Sequence, residues 1–86
     1  MSGPWPTVAG LQLPRYLESK CQSLLEGIQR ADTASNAVQA EQRAAGFIEA
    51  LELLQVMPMA RIERLYALYK RALAARLRGG NDQQGY

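Results

Sequence analysis

There is no histidine in these 86 residues, and only one cysteine, one phenylalanine and one tryptophan. Without histidine, the commonest general base at neutral pH is missing. A single cysteine excludes an intrachain disulfide, and no Cys/His set is available to hold a structural metal. The eight acidic residues are dispersed and never take the D-x-[DN]-x-[DN]-G spacing of a calcium loop. Gly79-Gly80 follows a helical stretch, where a phosphate loop would precede one. Ser2, Ser19, Ser23 and Ser35 have no base and orienting partner near them in sequence. Cys21 shares an apolar face with Leu17, Leu24 and Ile28, which marks it as a small buried hydrophobe and not a nucleophile. No catalytic residue, cofactor site or metal site is therefore expected, and the chain reads as a non-enzyme.

Long apolar runs are missing too. None approaches the ~18 residues that a membrane-spanning helix needs. The opening "MSGPWPTVAG" lacks both the basic and the apolar region of a secretory leader. The expectation is a cytoplasmic protein with no membrane contact. A chain this short buries only about 60% of the surface that its unfolded form exposes. With neither disulfide nor metal as a staple, stability must come from well-packed helices or from self-association.

Hydrophobic residues make up 48% of the chain and charged ones 21%, a globular composition. Net charge is only +2, but it is unevenly placed. Residues 1–57 carry four basic and six acidic side chains, whereas residues 58–86 carry six basic and two acidic ones.

Punctuation divides the chain into an N-terminal arm (1–13), a helical domain (14–78) and a flexible C-terminal tail (79–86). Pro4, Pro6 and Gly10 keep the arm extended. Pro14 suits the first turn of a helix, where its missing N–H is not needed. Leu17, Cys21, Leu24, Leu25 and Ile28 then recur on one helical face up to about Arg30. Asp32, Thr33 or Ser35 can cap the next helix, which covers roughly Thr33 to Gln55. That second helix has a wide apolar arc: Ala37, Ala40, Ala44, Ala45, Phe47, Ile48, Leu51 and Leu54. A helix with one neighbour needs a stripe of only roughly 100°, so this one is placed centrally, with surface to spare for a homodimer. After "VMP", Pro58 starts a third helix that Gly79 and Gly80 stop as a C-cap. The fold class is all-α: three helices, with helices two and three forming a long antiparallel αα-hairpin and a shorter first helix packed on it.

Folding the hairpin about residues 56 and 57 sets Ile48 near Leu65, Leu51 near Ile62 and Ala44 near Tyr69. It also brings Glu41 toward Arg76 and Glu52 toward Arg61, pairs that would tune the register. Gly46, flanked by alanines inside the second helix, is either a tight helix crossing or a tolerated accident.

The third helix carries the most informative pattern, "RIERLYALYKRALAARLRGG". Ile62, Leu65, Tyr66, Tyr69, Ala72, Leu73 and Leu77 form its fold-facing side. Arg64, Arg71 and Arg78 fall opposite, one every seven residues. Three readings are open for that row: a solvated face, a contact for a protein partner, or a track for nucleic-acid phosphates. Arginine pairs with carboxylates and stacks at interfaces. Phosphate binding also needs positive charge along a line, but no DNA-binding motif accompanies it here. The residues assigned to partner binding are Arg64, Leu68, Arg71 and Arg78, with Leu68 on the arginine side, plus Trp5 in its proline-framed arm. Leu53 also points away from the core arc. Trp5 has a second reading as a lid folded back on the bundle.

The run from Gly46 to Ala72, "GFIEALELLQVMPMARIERLYALYKRA", resembles helical hairpins in small uncharacterised proteins of bacterial phages and mobile elements. The resemblance covers about a third of the chain and carries no signature residues. It implies a protein that binds a larger host protein and blocks or redirects it. The functional expectation is a non-catalytic regulator or inhibitor of a larger protein. The alternative is a nucleic-acid-binding accessory protein that uses the same arginines.

Overall fold

The computed structural model describes residues 13–84. They form three helices, α1 (Arg15–Gln29), α2 (Ala34–Leu54) and α3 (Met59–Gln84), and no strand occurs among them. Helices α2 and α3 pack most closely, and α1 packs on both.

Each boundary has a local cause. The Pro14 carbonyl accepts the Glu18 N–H at 2.8 Å, opening α1 with the one residue that needs no partner for its own nitrogen. Burial of Leu17, Cys21, Leu25 and Ile28 follows the helical repeat. Thr33 caps α2: its side-chain oxygen accepts the Asn36 backbone N–H at 3.0 Å. At the other end of α2, Gln55 adopts the left-handed conformation (φ 55°, ψ 42°). There the Gln55 N–H donates to Glu52 O and the Val56 N–H to Leu51 O. This is the two-bond Schellman closure, with glutamine in the position that glycine usually takes. The Pro58 carbonyl then accepts from both Arg61 and Ile62, which starts α3.

Three cross-helix contacts fix the arrangement. The Tyr69 hydroxyl donates to the Cys21 carbonyl at 2.8 Å, tying α3 to α1. Arg76 Nε donates to the Ala31 carbonyl at 2.7 Å, tying α3 to the α1–α2 turn. Lys70 Nζ lies 3.4 Å from Glu41 Oε2 across the hairpin. Helices α1 and α3 are therefore parallel, with α2 antiparallel to both. The expected partners Ala44, Ile48, Leu51, Ile62, Leu65 and Tyr69 all belong to one core, together with Leu13, Leu17, Cys21, Leu25 and Ile28.

Several expectations need correction. Glu41 pairs with Lys70, while Arg76 reaches the turn carbonyl at Ala31. The third helix does not stop at Arg78, because α3 continues through Gly79 and Gly80 to Gln84. Glycine ends a helix where the chain turns left-handed, and no glycine among the described residues has positive φ. Leu13, assigned to the arm, is buried in the core; the rest of the arm lies outside the described residues. Gly46 is exposed, and a Cβ built on it would meet nothing within 4 Å, so no backbone crosses there. Leu54, expected on the buried arc of α2, is exposed.

Candidate interaction surface

Burial pushes the Cys21 thiol above its ordinary value, which works against a thiolate. Burial, and then the neighbouring Cys21 sulfur, raises the Tyr69 phenol well above its usual range. Every buried side-chain nitrogen or oxygen among the described residues has a hydrogen-bond partner. No group of three His, Cys, Asp or Glu residues that could hold a metal occurs among them. An open groove of about 500 Å³ lies beside the α1–α2 turn, lined by Gln29, Asp32, Ala72, Ala75, Arg76 and Gly79. Its guanidinium is engaged with the Ala31 carbonyl, and the alanines offer no chemistry. No described helix is long and apolar enough to cross a membrane.

The outer surface is more distinctive. Arg64, Arg71 and Arg78 are exposed on α3, as the wheel requires. Seven residues advance a helix by about 10.5 Å, so the three guanidinium groups emerge along one side of the bundle at regular intervals.

Leu68 does not join them. It is only 7% exposed and belongs to the core. Because α3 packs on both α1 and α2, its buried arc is wider than the stripe a single neighbour would cover. That arc extends from Ile62, Leu65 and Tyr69 to include Leu68 on its flank. Tyr66, on the opposite flank, is only half-buried. Its phenol is raised by burial and by the Glu52 and Glu49 carboxylates. Trp5 lies outside the described residues.

Among the described residues, the large apolar side chains left in water are Leu53 (81% exposed), Leu54 (71%), Met59 (51%) and Val56 (48%), with Tyr16 on α1. Four of the five sit at the α2–α3 hairpin end. Tyr16 stands at the start of α1, and the parallel course of α1 and α3 puts that start at the same end. The geometry explains the clustering. The two α1-side hydrogen bonds join residues 48 and 45 apart, so Arg15 lies level with about residues 60–63 of α3. The first turn of α3 and the last turn of α2 therefore stand at the start of α1, with Leu51 and Ile62 turned into the core.

Sequence inspection singled out only Leu53 from this cluster. The remaining signal lay in "LELLQVMPMA", where large aliphatic residues continue through the turn that joins the two helices. Turns of this kind are normally polar. No family model matches the chain, no curated protein matches it, and no solved structure matches it.

Proposed function

We propose that this chain is a non-catalytic interaction protein, acting in the cytoplasm, that regulates or inhibits a larger protein by binding it through the hairpin end of the bundle. One observation carries the reading: the large exposed apolar residues are gathered at a single end. Scattered exposed leucines are ordinary on any protein surface, whereas a contiguous apolar patch marks a contact surface. Arg64 lies just beyond that end, and the arginine row supplies guanidinium groups for a rim of carboxylate contacts. The phage or mobile-element setting implied by the hairpin resemblance belongs to the same proposal.

The test is co-purification of the tagged chain from its host. It should be compared with Leu53→Glu/Leu54→Glu and with Arg64→Glu/Arg71→Glu/Arg78→Glu. Loss of one partner with the leucine variant, at unchanged helicity, supports the reading. Retention of that partner by both variants overturns it.

The regular spacing of Arg64, Arg71 and Arg78 favours a second reading, nucleic-acid binding. Three phosphate contacts would give a slope of about −2.7 in log affinity against log salt. Binding to unrelated DNA with that slope, abolished by the arginine variant, would replace the protein-partner reading. A homodimer through the apolar end is the finer proposal on oligomeric state. Light scattering showing a monomer at high micromolar concentration would remove it.

A further inference from the structure

We propose that the outer face of α3 takes one acidic helix of a protein partner, laid along it with carboxylates opposite its arginines. The inference rests on reading the arginine row as a set of carboxylate contacts. It adds what presents those carboxylates and how closely it approaches.

The row is not made of arginine alone. Ala60, Arg64, Ala67, Arg71, Ala74 and Arg78 follow one another at spacings of 4, 3, 4, 3 and 4, and all six are exposed. At about 100° per residue they fall within an arc of roughly 80°, opposite the buried Ile62, Leu65 and Tyr69. Alternating steps of four and three are the repeat that keeps one seam of a helix facing a second helix. A straight helix drifts from that repeat by only about 20° per heptad, which a shallow crossing takes up.

The two residue types set the chemistry of the occupant. Alanine at every second seam position leaves no long side chain to hold an incoming backbone away, so the axes can approach to ~8 Å, the close end of helix packing. Arginine at the other positions excludes an apolar seam, because enclosing an unpaired guanidinium is costly. A facing carboxylate offsets that cost through charge-assisted hydrogen bonds. Seven residues advance the partner's helix by the same ~10.5 Å that separates successive arginines, so acidic residues at heptad spacing stay in step with them. Arg71 also has an interaction within the chain, so the variants below change Arg64 and Arg78. Two copies joined by this face would set arginine against arginine, and no two acidic residues of this chain lie seven apart. Phosphate tracking gives the alanines no role, whereas close helix packing requires small residues there.

The probe is a synthetic peptide of about four heptads, long enough to be helical, with glutamate and alanine at its two seam positions and glutamine elsewhere. Its affinity for the full chain is read by fluorescence anisotropy. A shuffled peptide of the same composition, with its glutamates off heptad spacing, should bind about tenfold more weakly. Arg64→Gln/Arg78→Gln should weaken the seam peptide by about tenfold or more. Ala67→Gln/Ala74→Gln keeps the net charge and a good helix former at both sites, and should weaken it as much. If either double variant loses helicity by circular dichroism, Arg64→Gln or Ala67→Gln alone serves in its place. Equal binding of the two peptides would overturn the proposal, because charge alone then accounts for it. No binding of the seam peptide would overturn it too, as would an alanine variant that binds like the wild type. Unrelated DNA bound equally by the wild type and the alanine variant, with the seam peptide left unbound, would assign the row to phosphates instead. The hairpin end is tested by co-purification of its leucine variant, so failure of the peptide to bind would leave the proposed function standing.

Discussion

Tyr69→Phe tests the contact that joins α3 to α1, and it does so with a sign that changes with pH. Tyr69 is fully buried, and its hydroxyl donates to the Cys21 carbonyl. At pH 7 the substitution removes one neutral hydrogen bond and almost no volume, so the expected loss is about 1 kcal/mol. For a domain of this size that corresponds to a fall in Tm of roughly 4–8 °C. Above pH 10 the balance shifts. The unfolded phenol ionises near its ordinary value of about 10, while the folded phenol, raised by burial, keeps its proton. A raised folded pKa means stability that is intact below the unfolded pKa and lost as pH rises above it. By pH 11 the wild type has given up about 1.4 kcal/mol through this group, and the phenylalanine variant nothing. Urea denaturation followed by circular dichroism should therefore show the variant weaker at pH 7 and equal or slightly stronger at pH 11. The Cys21 thiol is also raised by burial, but it is common to both proteins. A penalty that stays constant from pH 7 to pH 11 would refute the buried-donor account, and so would no penalty at neutral pH.

Further outcomes follow from the backbone and the charges. Gly46→Ala should raise stability by about 1 kcal/mol in thermal or urea melts, because the site is helical, exposed and open around its missing Cβ. A loss there would mean that a neighbour approaches Gly46 after all. Gln55→Gly should stabilise by about 0.5–1 kcal/mol, since the left-handed conformation strains any residue that carries a Cβ; a destabilised variant would place the cap elsewhere. A double-mutant cycle between Glu41 and Lys70 should give a coupling of about 0.5–1 kcal/mol that shrinks with added salt, and the Glu41–Arg76 cycle should give nearly zero. The reverse ranking would restore the pairing read from the hairpin fold.

How much of this was legible depends on which interaction set each feature. Helix boundaries were legible where the signal is local and chemical. Pro14 and Pro58 precede the helices they open, and Thr33 accepts the expected backbone N–H. Gly79 and Gly80 misled, because glycine permits a left-handed turn without requiring one. The Gln55 cap had no sequence signal at all, since closure of the hairpin imposes a conformation that glutamine does not favour. Within α3, Arg64, Arg71 and Arg78 could be placed outside and Tyr69 inside from the repeat alone. Leu68 could not, because the width of a buried arc depends on how many neighbours a helix has. The wheel shows only direction.

Periodicity, capping and proline positions act over a few residues of the chain. They determined three helices, a short hairpin connection and the two faces of α3 without reference to any distant contact. The alignment of α1 along α3 was decided only in three dimensions, by Tyr69 on Cys21 and Arg76 on Ala31. At the hairpin end Leu51 and Ile62 are buried in the core, whereas Leu53, Leu54, Val56 and Met59 face solvent. Burial is a property of what stands opposite a side chain, and contacts between residues 45 and 48 apart in sequence settle that only by packing.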